Sequence, residues 1–142
     1  MPGPDPFDLE RFVAAQAATF AAARAELAAG AKCRHWMWFI FPQLVGLGSS
    51  PMAMRFGLSG MAEAQAYLAH PLLGPRLLDC TALVLGHADR PLPAILPPPD
   101  DMKFRSSMTL FAAAAPATPV FREAIDRACG GLACAQTLRR LG

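Results

Sequence analysis

Basic and aromatic residues stand together in the segment KCRHWMWFIFPQ, which runs from Lys32 to Gln43. The charges of Lys32, Arg34 and His35 can hold an anion. An indole such as that of Trp36 can stack on a flat ring. Trp36 and Gln43 are two helical turns apart, so both can lie on one face. The segment therefore predicts a site for an anionic, ring-bearing ligand.

Within that site we assign ligand contacts to Lys32, Trp36 and Gln43. His35 is the candidate catalytic residue, because the ordinary pKa of histidine suits it to carry a proton near neutral pH. The alternative is that the aromatic residues only fill the core, since a helix that is apolar on every side is normally buried. That alternative is favoured for Phe39, Ile40 and Phe41, and both interpretations stay open for His35 and Trp36.

A second candidate segment, DDMKFRSSMTLF, carries a lysine above two hydroxyls. Ser106 and Ser107 follow Lys103 by three and four residues, so a helix presents all three on one face. With Arg105 they predict a pocket for a phosphate or another oxyanion, which would complete the site begun at Lys32. The alternative is a solvated helix start, with its aspartates at the positive end of the helix dipole and its hydroxyls bonded to the preceding turn.

Composition excludes several classes of protein. The chain has 142 residues, of which 54% are hydrophobic and 17% charged, and a net charge of +2. Such a chain can bury a core, and its charge balance argues against nucleic-acid binding. The most apolar run, from Trp36 to Phe41, is too short to cross a membrane, and the N-terminus lacks the pattern of a secretory signal. We therefore expect a cytoplasmic protein.

Motifs for metal and cofactor chemistry are missing from the sequence. The four cysteines form no CxxC pair, and the three histidines do not cluster with them, so we predict no metal site. The patterns GxSxG, GxxxxGK[ST], GxGxxG and HExxH are also absent, and no cofactor is implied. If a reaction occurs, we expect hydrolysis or transfer at a phosphate or glycosidic bond, driven mainly by electrostatics.

The elements that position these residues are predicted to be helices. Alanine is abundant, β-branched residues are few, and no alternating pattern favours a sheet. We predict one all-α domain over residues 1–142, in an orthogonal arrangement of six to seven helices. The first helix should run from a cap at Asp8 to Ala29. Residues 1–7 form an extended arm, and residues 90–99 a Pro-rich connector with at most one helical turn.

Longer segments resemble a known family, catalogued as domain of unknown function 1810. They are DLERFVAAQ, HWMWFIFPQL with the following GLG, YLAHPLLGPRL and DDMK-RSSMTLF, and the resemblance covers about Pro6 to Gly142. It implies a compact helical domain of the bacterial cytoplasm without an established activity; some members carry the label calpastatin. The segment DRACGGLACAQTL departs from the family's pattern at Ala128, Cys129 and Cys134.

Two function classes follow from these observations. Residues AEAQAYLAHPLLGPRLLDCTALVL are similar in layout to helical domains associated with NAD and ADP-ribose, which implies a phosphorylated ribose nucleotide as ligand. The alternative is an interaction module without catalysis, in which Met52, Met54 and Phe56 form an exposed apolar patch for a protein partner.

Overall fold

The structure is a computed structural model that describes residues 4–142, and this part of the chain is helical, with an isolated parallel bridge between Leu44 and Leu58 and no longer strand. The predicted all-α class is confirmed, but the predicted number of helices is wrong, because the described residues form ten. They are α1 (Glu10–Ala17), α2 (Phe20–Ala29), α3 (Met37–Ile40), α4 (Pro51–Phe56), α5 (Met61–Ala69), α6 (Leu73–Leu85), α7 (Leu92–Ile95), α8 (Asp100–Ala114), α9 (Pro119–Ala128) and α10 (Ala135–Leu141).

The difference in number comes from breaks and single turns. The helix predicted up to Ala29 divides into α1 and α2, and at the break the Thr19 hydroxyl donates to the carbonyl of Ala15 at 2.6 Å. Such a bond to the preceding turn bends helices. The cap before α1 also differs from the prediction. The Asp5 carboxylate, and not that of Asp8, accepts from the backbone N–H groups of Leu9 and Glu10.

The two segments predicted to be irregular contain local turns. Residues 1–3 of the predicted arm lie outside the described residues, and residues 6–7 form a turn. The Pro-rich connector 90–99 contains the four-residue helix α7. None of the helices between residues 4 and 142 combines the length and the apolar character that a membrane crossing requires.

The core is one cluster of buried side chains, and α8 runs through it. This helix packs against α5, α7, α9 and α10, and it buries Phe104, Met108 and Phe111 completely. Phe104 also meets Phe41 edge to face, with ring centroids 5.0 Å apart. Because Phe41 directly follows α3, this contact brings the start of α8 beside the segment that carries Lys32 and His35. As predicted, Phe39, Ile40 and Phe41 are buried in the core.

Candidate functional site

The loop between α2 and α3 is organised around one buried carboxylate, that of Glu26. One oxygen, Oε1, accepts from the backbone N–H groups of Cys33 and Arg34 at 2.7 and 2.9 Å and from the indole Nε1 of Trp36 at 3.0 Å. The other, Oε2, accepts from the Arg34 guanidinium at 2.7 Å. The loop starts at Gly30, whose positive φ of 74° ends α2. These bonds fix the course of the chain from Gly30 to Trp36.

The hydrogen bonds to Glu26 also determine its ionisation. Burial alone raises the pKa of a carboxyl group, but here the backbone donors of Arg34 and Cys33, the Arg34 guanidinium and the Trp36 indole outweigh it and lower the pKa of Glu26 to about 2. The carboxylate is therefore charged at every pH at which the protein is expected to work, and all its accepting capacity is directed into the loop.

Two lysines converge on the carboxylate of Asp100, at the first residue of α8. Nζ of Lys32 lies 2.8 Å from one Asp100 oxygen, and Nζ of Lys103 lies 3.8 Å from the other. Lys32 is nearly buried, with a side chain 6% exposed, whereas the Lys103 side chain is 25% exposed. These are the only two lysines in the sequence. Two cations on one anion leave this cluster with a net positive charge.

An open groove of about 380 Å³ lies beside this cluster, and we call it the first groove. Its wall from the α2–α3 side is formed by Lys32, Cys33, His35 and Trp38, and its other wall by the prolines 97–99 and the start of α8. The Trp38 indole is partly exposed, and Nζ of Lys103 lies 4.9 Å from its ring centroid. The groove thus combines an aromatic face, excess positive charge and an exposed imidazole.

Three of the predicted site residues, Lys32, His35 and Lys103, meet in the first groove. Three others, Gln43, Arg105 and Ser106, line an adjoining groove of about 390 Å³, which we call the second groove; Lys103 lines both. The remaining two are not exposed to either. Trp36 lies in the core with its indole bonded to Glu26, and Ser107 is fully buried within α8. Their burial leaves them no surface that a ligand could contact.

Two residues of the first groove were missed by sequence reasoning. Trp38 had been grouped with the core, although its position two residues from Trp36 turns it to the opposite side of the chain, which was the available signal. Asp100 had been interpreted only through the helix dipole. The apolar patch predicted for the alternative function is also smaller than expected, because Phe56 is buried and Met54 alone of its three residues is mostly exposed. Residues 4–142 contain no cluster of three potential metal ligands.

Comparison with known proteins establishes the family. The chain belongs to the family described as "Protein of unknown function (DUF1810)", whose model matches residues 6–141. It is also similar to a conserved hypothetical protein from Mycobacterium tuberculosis, with 53% sequence identity and a TM-score of 0.95 to its crystal structure. The match covers 96% of this chain and 98% of that one. No curated protein matches the sequence. Neither matching description names an activity.

Proposed function

We propose that this member of the family binds an anionic small molecule with a flat ring, such as a nucleotide or ADP-ribose, in the first groove. The observation that carries the proposal is the meeting of both lysines of the chain, from distant segments, beside the partly exposed indole of Trp38. A chain with so few lysines that places them together has concentrated its compact cationic groups at one position. A cytoplasmic location, where such ligands are abundant, belongs to the same proposal.

The charges in the groove favour a phosphate. Asp100 neutralises one of the two lysines, and its short contact at 2.8 Å assigns it mainly to Lys32. Lys103, with its longer contact and larger exposure, keeps an ammonium group directed at the groove. An ammonium binds phosphate as a point charge and does not need the two-pronged geometry of arginine. In this arrangement Asp100 neutralises Lys32, and Lys103 is left to contact the anion.

The ring of the ligand would lie on Trp38. Its indole lines the groove, and the nearby Lys103 ammonium would hold an attached phosphate within reach of the same ring. This assigns to Trp38 the stacking role that the sequence had suggested for Trp36. His35, exposed on the same wall, would carry the proton if the ligand is also hydrolysed.

The test uses the fact that the chain has two lysines. Biosynthetic labelling with lysine carrying ¹³C at Cε gives two side-chain resonances, which Lys103→Gln assigns by removing one. Titration with ADP-ribose or AMP should move the Lys103 resonance most. It should also quench or shift the fluorescence of Trp36→Phe, in which Trp38 is the remaining indole. If neither lysine resonance nor the fluorescence changes at millimolar ligand, the proposed function is wrong.

A matched pair of variants shows whether affinity for ADP-ribose depends on Lys103 in particular or on any cation of the surface. Lys103→Gln should weaken ADP-ribose binding at least tenfold, equivalent to about 1.4 kcal/mol. Arg122→Gln removes an exposed cation of α9, which is paired with Asp126 and absent from the lining of both grooves, and should leave the affinity unchanged. Chromatography of the ligand after incubation with the wild type and with His35→Gln then shows whether a bond is broken and whether His35 is needed.

A further inference from the structure

The second groove continues the first across Lys103. Both grooves are lined by Pro99 and Lys103, and a small pit shares Trp38 with the first groove, Gln43 with the second and Lys103 with both. Each groove, at about 380 and 390 Å³, is near the lower end of the range of small-molecule sites. Two modest grooves that share a cation at their junction suit a ligand that is itself built in two parts.

The second groove carries positive charge of its own. Arg105 lines it and forms no ion pair within the described residues; Asp101, one helical turn earlier, is not within 4 Å of it. The Arg105 guanidinium donates only to the carbonyl of Cys129, at 3.4 Å, and its Nε is buried without a hydrogen-bond partner. Lysine charge in the first groove is partly offset by Asp100, whereas no carboxylate of residues 4–142 lies within 4 Å of the Arg105 guanidinium.

The remaining surface of the second groove suits the uncharged part of a ligand. Gln43, Ser106 and Gln136 supply amide and hydroxyl groups. The Ser106 hydroxyl donates to the carbonyl of Met102 at 3.1 Å, and its oxygen lies 3.3 Å from Sγ of Cys134. The apolar lining is contributed by Leu47, Pro99, Met102, Ala133 and Ala135. Met102 contributes an apolar side chain that is 63% exposed. Such a mixture of polar groups and apolar surface is typical of ligand sites.

We propose that one ligand occupies both grooves, with a ring on Trp38 in the first, a phosphate or diphosphate at Lys103, and a second sugar or ring in the second groove. The chemical class is therefore a nucleoside diphosphate that carries a second sugar or nucleoside, and a mononucleotide fills only half of the site. This inference rests on the proposed function and adds to it the second half of the ligand and the role of Arg105.

Cysteines already present in the chain can report on each groove separately. Cys33 lines the first groove and is exposed, and Cys134 lines the second and is partly exposed. Partial burial raises the pKa of Cys134, but hydrogen bonds with Ser106, with the hydroxyl and backbone of Thr137 and with the backbone of Gln136 lower it further than burial raises it. The lowered pKa favours alkylation of Cys134. Cys80 and Cys129 are buried, and burial raises the pKa of both thiols, so they monitor unfolding.

The experiment measures alkylation of each cysteine of the wild-type protein by iodoacetamide, followed by peptide mass spectrometry. AMP should slow alkylation of Cys33 and leave Cys134 nearly unchanged, whereas saturating ADP-ribose should slow both, each by at least about fivefold. If ADP-ribose moves the lysine resonances but protects Cys33 alone, the proposed function stands and the two-part ligand is wrong. If it protects neither cysteine and moves no resonance, both are wrong.

A variant of Arg105 tests, without cysteine alkylation, whether the second part of the ligand occupies the second groove. Arg105→Gln should weaken ADP-ribose binding at least about fivefold while changing the affinity for AMP less than twofold. Arg122→Gln again serves as the matched control on an exposed helix surface. Equal loss of affinity for both ligands in Arg105→Gln would overturn the proposal, because Arg105 would then act on the part that the two ligands share.

Discussion

The two walls of the first groove use their polar groups in opposite ways. On the α2–α3 side the Glu26 carboxylate accepts four hydrogen bonds, and all of them come from the loop it holds. On the α8 side the ammonium of Lys103 lies 3.8 Å from an Asp100 oxygen and 4.9 Å from the centroid of the Trp38 ring. The Glu26 carboxylate therefore has close partners within the fold, whereas the Lys103 ammonium has only a distant one.

This difference separates residues that build the site from residues that would contact a ligand. A buried charge whose partners are all intramolecular contributes to the free energy of unfolding, and its loss leaves donors unsatisfied. A charge with incomplete partners contributes little to stability and is available for binding. Variants of Glu26 and of its partners should therefore change stability, and variants of Lys103 and Trp38 should change affinity.

The largest effect is expected for Glu26→Ala. It removes the acceptor of four donors, including the fully buried Trp36 indole, so we expect a loss of about 3–5 kcal/mol in the free energy of unfolding. Urea denaturation followed by far-ultraviolet circular dichroism measures it.

The matched control is Glu123→Ala, which removes an exposed glutamate paired with Arg127 on α9 and should cost less than about 0.5 kcal/mol. If Glu26→Ala is as stable as this control, other contacts hold the loop. The contrast between a stabilising Glu26 and a ligand-binding Lys103 would then be wrong.

Acid should expose the contribution of Glu26 in the wild-type protein. Its pKa in the folded state is about 2, below the ordinary value of 4.5, so the stabilisation is present above pH 4.5 and is lost as the pH falls towards 2. About 2 kcal/mol should be lost between pH 6 and pH 3 relative to Glu26→Gln, which has no such group. Urea titrations of both proteins at the two pH values measure the difference. If the wild type and Glu26→Gln lose the same free energy of unfolding between the two pH values, the pKa of Glu26 is not lowered by folding.

The two tryptophans both belong to the α2–α3 side, but one supports the loop and the other lines the first groove. Trp36→Phe removes a buried hydrogen bond to Glu26 and should cost about 2 kcal/mol in stability. Trp38→Phe removes an indole N–H that is buried without a partner, so its stability should change by less than about 1 kcal/mol. Affinity for ADP-ribose should show the reverse order. Thermal denaturation and titration calorimetry of both variants test this, and a greater loss of affinity in Trp36→Phe would reverse our assignment.

The sequence predicted the helical class and the boundaries near prolines and glycines, because these residues act locally. Ser50 with Pro51, and Thr118 with Pro119, begin α4 and α9, because proline favours the first helical position. The break at Thr19 was missed because a hydroxyl competing for a backbone carbonyl has no apolar periodicity to reveal it.

At the candidate site, residue types were more informative than positions. Lys32 and Lys103 were singled out from their neighbours, and they do meet. Glu26 decides which indole faces the groove. It accepts a hydrogen bond from the Trp36 indole, ten residues later in the sequence, and so keeps Trp36 in the core. The contact of both lysines with the Asp100 carboxylate depends on the path of the Pro-rich connector, which brings the start of α8 back to the loop between α2 and α3. Both are tertiary contacts, which a pattern of neighbouring residues does not specify.

The smallest expected effect comes from Asp100→Asn, and it tests the second wall directly. Removing the carboxylate frees both lysine charges for an anion, so affinity for inorganic diphosphate should rise about threefold to fivefold, while stability falls by about 1 kcal/mol because Lys32 loses its partner. Asp101→Asn is the matched control: it lies in the same first turn of α8 but has no lysine within 4 Å. Calorimetry should give unchanged affinity for this control. If Asp100→Asn binds diphosphate more weakly than Asp101→Asn, Asp100 holds the lysines in place for the anion instead of competing with it, and the second wall depends on its intramolecular partners as the first does.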